Sequence, residues 1–328
     1  MSRFTHTPLK GISGVFDSTL NNDIQDGLIE YFDWALLEKG NYFNVTINET
    51  SPNGEDMSRL RLATNESYTN GQVWEGFRKN WVWQSGISVH GMDDPIVGTN
   101  DALPGISGVY VDQEFYPTDT VGDYAHHVDY FNGRVIFDNP IPTGSVVQAE
   151  YSYKYINVVY ANNMPWYREL QSRSLQPTAG FLDSEDGAWN VPPESRLQMP
   201  MMAVEIVPRR TFKGFQLGGG QWVYTDVLFH CLAESEVVRN TIVDIVSLQN
   251  DKNIHLFDSN RINTANKFPL DYRGVPVSGA LRYPDLINDY NGGKLRLTKT
   301  IVQDMIMHNT TVFGGIVRMT TEGIKTNI

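Results

Sequence analysis

Between residues 17 and 39, apolar side chains recur at spacings of three and four: Leu20, Ile24, Leu28, Ile29, Phe32, Ala35 and Leu36. That period predicts an α-helix. Asp17 or Ser18 is placed to cap its first turn, and Gly40 to close it in the left-handed region. Gly27 inside it costs ~1 kcal/mol against alanine and marks close packing. From Tyr42 onward the period changes to two. Residues 42–47 read as a short strand and 51–70 as a polar loop. Residues 73–89 carry Trp74, Phe77, Trp81, Trp83, Ile87 and Val89, mostly at even spacing. Residues 91–105 read as loop, and 109–115 and 125–130 as strands split by the turn-rich YPTDTVGD.

The stretch VDYFNGRVIFDNPIPTGSVVQAEYSYKYI follows. Asn132-Gly133 predicts a tight hairpin with positive φ at both turn positions, and residues 134–138 supply the returning strand. Pro140, Pro142 and Gly144 make the next reversal. Val147, Ala149, Tyr151, Tyr153 and Tyr155 then form an apolar face, with Gln148, Glu150, Ser152 and Lys154 opposite. That alternation predicts a half-buried antiparallel strand. Several such strands with turns between them point to a β-sandwich or barrel.

Residues 162–200 lose periodicity and read as an extended arm or linker. Its aromatics Trp166, Tyr167, Phe181 and Trp189 predict docking onto the chain's own domains or a neighbour. A second domain is expected from 201. Residues 203–215 and 221–231 are strands around the reversal at Gly218–Gly220. ESEVVRNTIVDIVSLQND is a helix capped by Ser235, with Val238, Ile242, Ile245 and Val246 in one stripe. Residues 254–257 are a short strand, 259–293 a long, partly loop segment, and 295–308 with 311–321 a closing hairpin. The predicted fold is α+β and mostly β. Residues 1–161 form a helix with a β-sandwich domain, 162–200 the arm, and 201–328 an α+β domain with long hairpins.

The composition of 328 residues is that of a globular chain, 41% hydrophobic and 20% charged. Its net charge of −12 excludes bulk electrostatic binding of nucleic acid, though an acidic wall lets DNA slide past without sticking. One cysteine, Cys231, excludes an internal disulfide or a cysteine-based metal site and fits synthesis in a reducing cytoplasm. MSRFTHTPLKGISG has no apolar core of a secretion signal, and no run of about 20 apolar residues predicts a membrane span. Asparagine triplets of the glycosylation type, as at Asn44, read as chance matches.

Candidate chemistry is sparse. His126 and His127 sit beside Asp129, but adjacent strand residues point to opposite faces; one buried and one exposed histidine is expected, and no metal site. The triple glycine lacks the following helix that a phosphate loop needs. Cys231 beside His230 reads as a small core residue. No nucleophile elbow or paired carboxylates point to hydrolysis, so no enzyme activity, cofactor or catalytic residue is assigned. Trp74, Trp81 and Trp83 admit a sugar-stacking platform, although a sandwich core requires the same spacing. Arg209, Arg210 and Lys213 make a basic group in an acidic chain. They are either a solvated strand edge or a patch that orients an acidic neighbour.

AHHVDYFNGRVIFDNPIPTGSVVQAEYSY resembles a hairpin pattern of tailed-bacteriophage virion proteins. GGGQWVYTDVLFHCLAESEVVRNTIVDIVSLQ with its closing hairpin is similar in layout to phage tail-terminator and neck-connector domains. GVFDSTLNNDIQDGLIEYFDWALLEKGNYFNV resembles the start of such virion proteins. These segments cover about half the chain; residues 259–293 do not match a minimal terminator domain. The resemblance implies a virion structural protein, made in the host bacterial cytoplasm, forming a homo-oligomeric ring at the head–tail junction as neck, collar or tail terminator. Its implied partners are copies of itself and neighbouring connector, tail-tube or sheath proteins, with DNA passing unbound and no membrane contact. Trp166, Tyr167, Phe181, Trp189, Arg209, Arg210 and Lys213 are the candidate interface residues. The alternative is a carbohydrate- or receptor-binding module of a fibre or baseplate.

Overall fold

The computed structural model describes residues 20–50, 54, 56–63, 67–76, 78–84, 106–161, 199–216, 220–255, 294–308 and 312–325. The fold is α+β and mostly β, with three sheets and two helices among these residues. Helix α1 spans Leu20–Glu38 and ends where Gly40 turns left-handed at φ 86°. The capping positions proposed for its start lie outside the described residues.

Strands β1 (Tyr42–Val45) and β9 (Tyr151–Lys154) form a two-stranded ribbon. A seven-stranded antiparallel sheet has the order β5-β4-β8-β2-β3-β7-β6. Its strands are β2 (Arg59–Leu62), β3 (Val73–Glu75), β4 (Gly108–Val111), β5 (Glu114–Pro117), β6 (His126–Asp129), β7 (Arg134–Phe137) and β8 (Val147–Gln148). Val109, Val111, Val128, Val135, Phe137 and Tyr151 share one buried cluster with Trp74 and Trp81. One cluster fed by strands from across the sheet means that the sheet curls around it.

The six-stranded sheet has the order β10-β11-β12-β15-β14-β13. It contains β10 (Asn157–Tyr160), β11 (Met201–Gln216), β12 (Gly220–Ala233), β13 (Lys252–His255), β14 (Lys294–Met307) and β15 (Phe313–Lys325). All neighbours are antiparallel except β10 and β11. Helix α2 (Glu236–Ser247) begins at Ser235, whose Oγ accepts from the Val238 N–H at 3.3 Å. Both helices pack on the same face of this sheet. Phe229 and Val227 alternate with outward-facing Leu228, and they meet Phe32 of α1 and Ile242 of α2 in one cluster. Phe32 and Phe229 make an edge-to-face pair at 5.3 Å, worth ~0.5–1.5 kcal/mol beyond burial. Helix α1 and β10 precede residue 162, yet they pack in the cluster of the C-terminal sheet.

Local expectations changed in three places. The β6–β7 hairpin sits where Asn132-Gly133 put it, but the connection has four residues, since Asp129 pairs with Arg134. Only Gly133 has positive φ there, at 63°. The Asp129 carboxylate holds the longer loop, accepting from Asn132 N and Nδ2 at 3.2 and 2.7 Å and from Arg134 Nε at 2.9 Å. The strand expected over 109–115 is instead a hairpin, with Asp112 and Gln113 at φ 50° and 76°. The tyrosine strand breaks after Gln148, and both its faces are buried at first. Gln148, Ser152 and Lys154 bury their polar ends because each finds partners: Gln148 donates to Asn48, Asp56 and Ser58, and Ser152 to Asn44.

Candidate functional site

The predicted interface residues divide into two groups. Trp166, Tyr167, Phe181 and Trp189 lie outside the described residues. Arg209, Arg210 and Lys213 lie on β11, in its half beyond Val204. Arg209 sits in a bulge between Ile206 and Arg210; Arg210 pairs with Thr225, and Lys213 with Trp222. Lys213 Nζ lies 5.1 Å from the centre of the Tyr224 ring. On the same face, Asp226 accepts from Arg318 and, at 2.7 Å, from Thr320 Oγ1. Burial pushes the Asp226 carboxyl up, but these hydrogen bonds and the charges of Arg318 and Arg209 outweigh it and hold it below the usual carboxylate range. Lys213 therefore belongs to an ordered polar surface outside the helical layer, with Arg209 close enough to act on Asp226. Arg210, paired with the buried Thr225, lies on the helical face, so the sheet splits the predicted basic group between its two sides.

That surface belongs to a sheet with long, open hairpins. Strand β13 covers β14 only along Lys294–Leu297, and β10 covers β11 only along Met201–Val204. Past these points, and among the described residues, β14 and β11 each have a neighbour on one side only. Residues 301–305 of β14 are exposed on both faces, including Ile301 (42%), Val302 (44%) and Met305 (43%), and Met307 beyond them is 57% exposed. Phe212 of β11 is 52% exposed. Apolar side chains on an open edge are the usual mark of a strand that pairs further.

A second site escaped the sequence reading. Asp26, Glu30 and Asp33 line one stripe of α1, reaching from Lys154 at the end of β9 to Tyr160 at the end of β10. Asp33 Oδ2 accepts from Lys154 Nζ at 2.6 Å and from Gln84 Nε2 at 2.7 Å, and all three residues are buried. Glu30 Oε2 accepts from the Trp34 indole at 3.0 Å, and Asp26 Oδ1 from the Tyr160 hydroxyl at 2.7 Å. Burial, helped by the charge of Asp33 and opposed by Lys154, pushes the Glu30 carboxyl up to about 7. Burial also raises Asp26, against the Tyr160 hydrogen bond. The spacing of 26, 30 and 33 was visible in the sequence, but charged residues at helical spacing ordinarily mark a solvated face. Here the stripe meets protein and ties α1 to the β9–β10 connection. Asn41 completes the tie by bracketing Ile156, its Nδ2 donating to the carbonyl and its Oδ1 accepting from the N–H.

The remaining candidates have structural settings. His126 is fully buried with Nδ1 3.0 Å from the Tyr124 carbonyl, while His127 is half-buried and 3.8 Å from Asp138. The described residues hold no group of three or more His, Cys, Asp or Glu able to bind a metal. Burial pushes the Cys231 thiol far up, and His230 turns to Glu205 at 2.7 Å. Strand β12 begins at Gly220, paired with Gln216; Gly218 and Gly219 lie outside the described residues. Trp74 and Trp81 are in the core, and Trp83 packs edge-on against Trp34 at 6.1 Å. An aromatic group that does reach the surface is formed by the exposed Phe43 and Tyr155 and the half-buried Tyr153, at the β1–β9 ribbon. A cleft of about 520 Å³ beside β2 is lined by Arg59, Arg61, Trp74 and the turn at Thr143–Ser145. No helix among the described residues is long and apolar enough to cross a membrane.

Compared with known proteins, the chain matches no family model and no curated protein sequence.

Proposed function

We propose that this chain is a structural component of a tailed-phage virion, forming a ring at the head–tail junction as neck, collar or tail terminator. One observation carries this reading. The six-stranded sheet has two long hairpins whose outer strands expose apolar side chains at opposite ends. A chain that works alone guards or covers such edges. Ring assemblies need two different patches on each subunit, and this sheet has two. The net charge of −12 suits a lumen that DNA crosses without being held. The aromatics of the 162–200 segment remain proposed contacts to neighbouring virion proteins.

Native mass spectrometry with negative-stain imaging of the purified chain tests the reading. Closed rings of defined copy number are expected. A strict monomer would count against a self-assembled ring and favour a peripheral module. The second reading, a receptor- or carbohydrate-binding module, is favoured by the exposed Phe43 and Tyr155 with the half-buried Tyr153 between them. The tryptophans that first pointed to it offer less, because Trp74 and Trp81 are buried. A compact trimer would favour that second reading.

A further inference from the structure

The two open edges of the six-stranded sheet are offset along the strands. Arg210 of β11 lies in the row of Thr225 and Thr321, level with Leu297 of β14, where β13 provides cover. Met305 of β14 lies in the row of Gly315 and Cys231, level with Met202 of β11, where β10 provides cover. Each open stretch therefore faces away from the sheet at the corner diagonal to the other. Three antiparallel steps separate β11 from β14, so the two strands run in opposite directions.

We infer that copies of this chain join head to tail, the open edge of β14 in one copy pairing antiparallel with the open edge of β11 in the next. This rests on the ring reading and names the surfaces that would build it. A second copy set beside the first continues the sheet when its Arg210 is level with Met305. That is a step of about six residues along the strands, from the Thr321 row to the Gly315 row. At that step β10 of the second copy lies beyond Met307 of the first, and β13 of the first lies beyond Gln216 of the second. Each short covering strand thus sits just past the end of the new ladder, and neither obstructs it. A constant step between neighbours is also what a closed, tilted sheet requires.

The side chains agree with this register. Phe212 faces Val302 on the helical side of the sheet, joining an exposed apolar residue of β11 to one of β14. Thr211 faces Asp304 on the other side, which brings Lys213 within diagonal reach of the Asp304 carboxylate. Pro208 and the bulge around it end the stretch of β11 that can pair. Pairing β14 with a second β14 about a two-fold axis is less suited. The register that clears β13 and keeps the longest ladder places Asp304 opposite Asp304, like charge against like.

Two variants with one edge blocked in each provide the test. Val302→Lys with Met305→Lys blocks β14; Thr211→Lys with Phe212→Lys blocks β11. All four positions are exposed, so the fold should tolerate them, which circular dichroism and melting of each variant check. The wild type should assemble in native mass spectrometry and sedimentation, and each variant alone should be monomeric. Mixing the two variants should give 1:1 heterodimers and nothing larger, because only one sound pair of edges remains. Folded variants that assemble like wild type would overturn the edge pairing and leave the ring reading standing. Monomeric variants that form no heterodimer on mixing would also overturn it. A wild type that stays monomeric at every concentration would overturn both.

Discussion

Burial holds the Glu30 carboxyl neutral up to about pH 7, well above the ordinary 4.5. The folded chain therefore keeps a proton that the unfolded chain releases between those values, and stability from this group falls as pH rises through that window. Asp26, also raised, acts in the same direction. Glu205 and Asp226 act oppositely, because both are held below their ordinary values and their contribution is lost on acidification. The comparison must therefore be made between variants. Glu30→Gln keeps an acceptor for the Trp34 indole and cannot ionise. It should be more stable than wild type at pH 8, by on the order of 1–3 kcal/mol, and about equal to it at pH 4.5. Denaturant unfolding at the two pH values measures this. An equal difference at both would mean that Glu30 acts through packing and not through its charge.

At the scale of elements, helix α2 depends on what β15 lacks. A Cβ on Gly315 would lie 2.7 Å from Val243 Cγ2 of the helix and 3.2 Å from Met305 Sδ. Gly315→Val should push α2 off the sheet and cost ~1–3 kcal/mol. Gly323 lies on the same face of the same strand, where a Cβ meets only Leu295, at an ordinary 3.6 Å; Gly323→Ala should be tolerated. Midpoints of chemical denaturation separate the two, and equal losses would show that strand flexibility, not helix contact, sets the cost. Elements of this kind were the legible part of the sequence. Helix α2 with its Ser235 cap and the β11–β12 and β14–β15 hairpins follow from long runs of a single period. The β4–β5 hairpin was missed because Asp112-Gln113 adopts positive φ without the glycine that signals such turns. Its geometry is held from outside by Val146, whose N–H donates to Asp112 Oδ1 at 2.8 Å. The same limit hid the burial of Gln148 and Ser152, whose partners lie about a hundred residues away.

At the scale of the molecule, α1 is the joint. One side of it enters the cluster of the six-stranded sheet, and the other holds Lys154 at the end of the β1–β9 ribbon. No local period could place an N-terminal helix on a C-terminal sheet, and the pairing of β10 with β11 brings together residues more than forty positions apart. The Asp33–Lys154 pair is the test of this joint. Both side chains are buried, so Lys154→Ala leaves a carboxylate enclosed with only Gln84 to answer it, at a cost of about 3–5 kcal/mol. Asp33→Asn removes that charge and keeps an oxygen for Gln84, so the double variant Asp33→Asn with Lys154→Ala should recover a large part of the loss. Hydrogen exchange should locate the damage. In Lys154→Ala, protection should fall together in α1, β9 and β10, while α2 and the β12–β15 ladder keep theirs. A loss confined to β9, or one no smaller in the Asp33→Asn background, would mean that the pair fills space without coupling the ribbon to the helix, and that the two clusters stand independently.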